Sequence, residues 1–146
     1  MKRAQLEHIV RAAANAAADR GILVIGSQSV LGTFPDAALP REAIVSIEAD
    51  VVALANDRPL EVDDDKTDLV DGAIGEDSMF HQTYGIYAQG VGIETAVLPS
   101  GWEERLVLLR TPDTEPGHAL CLEPHDCVIA KMLPAGTRTT RLLPHC

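Results

Sequence analysis

Glu48 and Asp50 stand two residues apart in an otherwise apolar run, Ala43–Leu54, that also carries Ile44, Val45, Ile47, Val51 and Val52. In an extended strand this spacing points both side chains at one face. Two carboxylates so close repel one another unless a cation sits between them, and an unpaired buried carboxylate is costly. The pair therefore reads as a metal-nucleotide site, with the solvent-facing side of an edge strand as the alternative. Upstream, the apolar run Ile22–Ile25 leads into Gly26-Ser27-Gln28-Ser29. A glycine at a strand-to-helix turn lets backbone approach a ligand, and the free N–H groups of the next helix attract phosphate. The Ser27 hydroxyl could serve the same anion, or Gly-Ser could be a plain turn with a serine N-cap. Glu94 lies in Val91–Leu98, which reads as a strand. It is a candidate third carboxylate for a two-metal site, which needs acids from adjacent strands, or a solvent-facing residue.

These groups need elements to hold them. Ile22–Ile25 and a segment within Ala43–Leu54 suit buried strands bounded by turn signals. Arg3–Arg20 is rich in alanine, with Leu6, Ile9, Val10, Ala13 and Ala17 near helical spacing, and Gly21 suits a left-handed helix end. Alanines let that helix lie close on a sheet, so His8 and Asn15 are read as packing or solvated residues. Thr33–Arg41, with Pro35 and Pro40, is a connecting loop. The acidic stretch Asn56–Asp77 resembles a calcium loop only superficially, because Asp68 occupies the place where such a loop needs glycine. It reads as a solvated turn leading into a short helix around Lys66–Ala73. Tyr84–Ala88 reads as a further strand, Glu103–Leu109 as an amphipathic element or strand, and Ala119–Leu122 as a short strand. A helix then runs from the Glu123-Pro124-His125-Asp126 start to about Leu133, with Lys131 projecting from it. Cys121, His125 and Cys127 do not have an ordinary zinc spacing, and nothing orients a Cys-His nucleophile.

The chain of 146 residues is one domain large enough to bury a sizeable core, and with 3% aromatic content that core must be aliphatic. A net charge of −10 argues against broad binding to nucleic acid or anionic membrane. No apolar stretch is long enough to span a bilayer, and no signal-peptide pattern opens the chain. Three cysteines, an odd count, suit reduced thiols in the cytoplasm.

The strand, Gly26-Ser27, helix and Ser46-Ile47-Glu48-Ala49-Asp50-Val51 together resemble the polymerase-beta-like nucleotidyltransferase superfamily. The closer likeness is to its prokaryotic toxin-like branch, found in toxin–antitoxin and abortive-infection systems. Ile74-Gly75-Glu76-Asp77-Ser78, Leu98-Pro99-Ser100-Gly101-Trp102 and Leu122-Glu123-Pro124-His125-Asp126 followed by Lys131 extend the resemblance over roughly residues 5–136. It implies an α+β fold with a small mixed sheet flanked by helices, forming a nucleotidyltransferase-like domain over 1–136; residues 137–146, without acids and with poor helical pattern, read as a short irregular tail. It implies transfer of a nucleotidyl group from a nucleoside triphosphate to an RNA or protein acceptor. Gly26 and Ser27 would hold the triphosphate, with Lys131 as a further phosphate contact. Glu48 and Asp50 would bind Mg²⁺, and Glu94 would be the third acid, suited to activating an acceptor hydroxyl. A cognate antitoxin is the implied partner, and apolar surface left exposed by the short terminus would favour a homodimer. The runner-up expectation is a domain that keeps the fold and binds a nucleotide or partner without catalysis. A dimerising module whose acids are merely solvated is the third.

Overall fold

The computed structural model describes residues 1–18 and 21–132, with side chains to residue 130. The sheet is organised around Ile22–Val24 (β1), three aliphatic residues that are wholly buried. On one side β1 pairs antiparallel with Glu48–Asp57 (β2), and on the other it runs parallel to Ala119–Cys121 (β6). Val107–Leu109 (β5) closes that side antiparallel to β6. Along the far edge of the long β2 lie two short strands, one beyond the other. Tyr87–Gly90 (β4) runs parallel to Glu48–Val51, and Leu60–Val62 (β3) pairs antiparallel with Leu54–Asp57. The described residues thus form a mixed six-stranded sheet of order β3-β2-β1-β6-β5, with β4 joined to β2.

Where β4 stops and β3 begins, β2 has no strand partner, and a helix supplies one. Asp64–Ile74 (α2) is capped by the Asp63 carboxylate, which accepts from the Lys66 amide. One turn in, the buried Thr67 hydroxyl accepts from the Ala53 amide at 2.8 Å and donates to the Asp63 carbonyl. The ladder bond missing at the junction is thereby replaced by a side chain.

Side-chain alternation divides the core in two. Ile22, Val24, Ala49, Val51, Ala119 and Cys121 face Arg3–Ala16 (α1) and α2. Alanines 13 and 17 of the first helical segment are fully buried there. Leu23, Ile25, Val52, Leu54 and Leu122 face the other way, under Pro124–Met132 (α4) and the segment from Val91 to Leu106. That segment is clamped to α4 by Arg105, which donates from Nε and Nη2 to the two oxygens of the buried Asp126 at 2.9 and 3.0 Å. Met79–Tyr84 (α3) packs on α1 through edge contacts of His8 with Phe80 and Tyr84.

The fold is α+β, a small mixed sheet flanked by helices, and several boundaries differ from those read in the sequence. The first helix ends at Ala16, and the left-handed residue that follows is Ala18, at φ 58°, rather than Gly21. Gly21 instead leaves room for the His118 ring. Val91–Leu98 is not a strand. The Thr95 amide and hydroxyl both donate to the Gly92 carbonyl, closing a 3-10 turn over Ile93–Thr95, and the edge of β2 is already filled by β4 and β3. Tyr84 belongs to α3, which stops at left-handed Gly85, so the strand starts later, at Tyr87. Gly26-Ser27 opens a six-residue 3-10 helix, Ser27–Gly32, not an α-helix. Among the described residues no helix is long and apolar enough to cross a membrane. The tail 137–146 lies outside the described residues.

Thr67→Val should cost about 1–3 kcal/mol, because it strands the buried Ala53 amide without an acceptor. Urea titration would register the loss, and hydrogen exchange would show the Ala53 amide exchanging faster than its β2 neighbours.

Candidate functional site

Glu48 and Asp50 occupy the first residues of β2, where the strand projects past the core. They alternate with buried Ala49 and Val51, so they share the sheet face of Val52 and Leu54. Both are half-buried. The β1–β2 ladder continues one bond beyond β1, with the Ile25 amide donating to the Asp50 carbonyl at 3.1 Å. Gly26 is thereby pressed onto Asp50: a β-carbon at position 26 would lie 2.7 Å from Asp50 Oδ2. Only a glycine leaves that carboxylate its place. The Gly26 carbonyl turns inward, accepting from the Ser29 amide and hydroxyl at 3.0 and 2.7 Å. The Ser27 side chain stays exposed at the mouth of the turn.

On the other edge, Tyr87 of β4 stands opposite Glu48 in the parallel register, and its hydroxyl donates to Glu48 Oε2 at 2.8 Å. Asp50 is pushed up to about 7 by burial, by its hydrogen bond to Glu48 and by the Glu48 charge. Tyr87 is pushed up to about 12, first by its bond to Glu48, then by burial and the nearby acids. Below about pH 7 Asp50 thus keeps its proton, hydrogen-bonded to Glu48.

Not every residue singled out in the sequence arrives here. Glu94 is exposed on its 3-10 turn, with its carboxylate lying over Gly92 in the space a side chain there would need. Among the described residues no three His, Cys, Asp or Glu side chains converge as a metal-ligand group, so Glu94 does not join Glu48 and Asp50 in one. Lys131 is in α4, but its side chain lies outside the described residues. Cys121 faces the α1 side of the core under Gly32, its thiol pushed up to about 12 by burial. Cys127 belongs to the opposite core cluster, its Sγ 3.6 Å from the Gly26 carbonyl, and His125 points to solvent beside Glu123.

Two participants were not picked out from the sequence. Tyr87 was read only as part of a strand, and nothing local in Gly85-Ile86-Tyr87 signals an acid partner 39 residues away. Gln28, only 2% exposed beside the turn, has an Oε1 with no hydrogen-bond partner among the described residues. A groove of about 790 Å³ does open on the molecule, between Asp57, Arg58, Leu60, Glu103, Leu106 and Leu120. It adjoins the opposite end of β2, about 30 Å along the strand from Glu48 at ~3.3 Å per residue, so it cannot serve the carboxylates.

Compared with family models, curated proteins and solved structures, the chain gives no match. The functional reading therefore rests on this geometry and its chemistry.

In the folded chain Asp50 keeps its proton to about pH 7, whereas an unfolded aspartate loses it near pH 4. The native state binds more protons across that window, so this group lowers stability as pH rises from about 4 to 7. Asp50→Asn should leave the melting temperature near wild type at pH 4.5 and raise it above wild type at pH 8. Thermal melts across that range would check both limbs.

Proposed function

We propose that this protein is a metal-dependent nucleotidyltransferase, moving a nucleotidyl group from a nucleoside triphosphate to an acceptor hydroxyl. The observation that carries the reading is the half-buried Glu48–Asp50 pair, hydrogen-bonded to one another and held against the side-chain-free backbone of Gly26. Two strand carboxylates suit Mg²⁺, a hard cation held by one or two carboxylates with the rest of its shell from water and substrate phosphates. Glu48 and Asp50 would hold it. When bound, Mg²⁺ neutralises phosphate charge and favours in-line displacement at phosphorus.

The chain's own groups divide the remaining work. Tyr87 fixes the Glu48 carboxylate by donating to Oε2, leaving the other oxygen for the cation. Gly26 leaves the Asp50 carboxylate its place at the turn assigned to the triphosphate, where the exposed Ser27 hydroxyl adds a donor. Glu94, on the segment that covers this face, is assigned to the acceptor side, where a carboxylate can take the proton of an attacking hydroxyl. Lys131 is the proposed phosphate contact from α4. The acceptor is an RNA or a protein, and with a net charge of −10 a protein is the better electrostatic match. We place the protein in the cytoplasm as a component of a toxin–antitoxin pair. Exposed Val45, Ile47, Val128 and Ile129 supply apolar surface for a homodimer or an antitoxin.

One observation favours a second reading, a nucleotide- or partner-binding domain without transfer. The Glu94 carboxylate lies over Gly92 rather than beside the other two acids.

Calorimetry with Mg²⁺ and each nucleoside triphosphate, followed by a transfer assay on RNA and co-purified protein, separates the two. Glu48→Gln and Asp50→Asn should each weaken Mg²⁺-dependent binding at least tenfold, about 1.4 kcal/mol. Binding should tighten as pH rises through 7, where Asp50 yields its proton. Metal-dependent binding that survives both substitutions would sink the site. Binding without transfer would favour the second reading.

A further inference from the structure

Behind Tyr87 sits a histidine that the proposed chemistry has not used. His81 lies on α3, and its ring centroid is 4.7 Å from that of Tyr87, the residue whose hydroxyl holds Glu48. The turn before α3 is shaped around this imidazole. The Asp77 amide donates to His81 Nδ1 at 2.9 Å, the Ser78 hydroxyl accepts from the His81 amide at 3.1 Å, and Gln82 Nε2 donates to the Asp77 carbonyl at 3.4 Å. Asp77 itself is left-handed at φ 66°, a conformation that favours glycine and is held only where surrounding structure compels it. That backbone is what aims the Asp77 N–H at the ring.

The consequence is chemical. A backbone N–H can only donate, so Nδ1 must accept, and the ring proton is on Nε2. Among the described residues, no group bonds to Nε2. His81 is thereby unsuited to ligate a metal through Nε2, which would require the other tautomer with its proton on Nδ1. What it offers is a neutral donor on a ring held by a tilted contact with Tyr87 and by the turn.

We propose that His81 is a ligand-binding residue whose Nε2–H donates to a phosphate oxygen of the nucleotide held at Glu48 and Asp50. This rests on the nucleotide reading of that pair. The surroundings of the ring carry acids, Glu76 and Asp77 on the turn and Glu48 beyond Tyr87. A donor with no formal charge contacts phosphate there without the strong pairing to carboxylates that an arginine would make.

The two amide isosteres of histidine separate this role from a structural one. In His81→Asn the amide oxygen can stand where Nδ1 stood and accept from Asp77, but the Nε2 donor is gone. In His81→Gln the amide reaches the Nε2 position, but the Asp77 bond is lost. The probe is Mg²⁺ with α,β-methylene analogues of the four nucleoside triphosphates, which cannot release a nucleotidyl group. With the best binder, His81→Asn should melt near wild type yet bind at least tenfold more weakly. His81→Gln should melt lower yet recover most of the affinity. Wild-type affinity in a folded His81→Asn would overturn the proposal while leaving the carboxylate site intact. Failure of wild-type protein to bind any analogue would overturn the nucleotide reading and this proposal together. Should the variants not fold, ¹⁵N-histidine spectra of wild-type protein decide it. The Nε2–H tautomer, with its Nε2 resonance moving on saturation with the analogue, is expected. An Nδ1–H tautomer, or an Nε2 signal unmoved at saturation, would overturn it.

Discussion

The bond from the Ile25 amide to the Asp50 carbonyl fixes the pairing on which the candidate site depends. It carries the β1–β2 register one step past Val24↔Val51 and brings Gly26 onto Asp50. The register is itself enforced by burial. A slip of one residue would turn Ala49 and Val51 out of the core beneath α1 and α2 and drive Glu48 and Asp50 into it. The aliphatic core therefore does more than stabilise the sheet, since it decides which face the two acids present. The far edge of β2 needs the same precision, because Tyr87 meets Glu48 only in the observed parallel pairing.

A half-buried acid of the sheet and a buried acid of the helix above it show two answers to one electrostatic problem. Asp126 is 3% exposed and stays paired with the Arg105 guanidinium through two hydrogen bonds. Asp50 has no cationic partner among the described residues and holds a proton instead. The one acid is neutralised by a guanidinium, the other by a proton. The left-handed Asp77 beside His81 is a departure of another kind, in backbone conformation.

Much of the architecture was legible from short-range pattern. The aliphatic runs at Ile22 and Ala119, the alanine-rich first helix and the Pro124 helix start all appear within a few residues of their expected places. Each is bounded by turn or cap chemistry that acts locally. The errors fall where a tertiary partner overrode propensity. Val91–Leu98 has strand-like composition, but β2 has no free edge to offer it, and a turn closed by Thr95 prevails. Leu60–Val62 lies inside a stretch dominated by aspartates, and it becomes a strand because the end of β2 needs covering.

The sequence by itself determined that Glu48 and Asp50 share a face, because strand periodicity allows nothing else, and that a glycine opens the turn after the first strand. Its Gly-Ser pair and its acids marked where chemistry would be sought. Only the tertiary structure decided that Gly26 meets Asp50, that Tyr87 binds Glu48, that His81 stands behind Tyr87 and that Glu94 does not join the pair. Those outcomes follow from which strand occupies which edge of β2. Side-chain spacing within one strand is a covalent property of the chain, but adjacency between strands is settled by competition for backbone hydrogen bonds and core volume across the whole sheet.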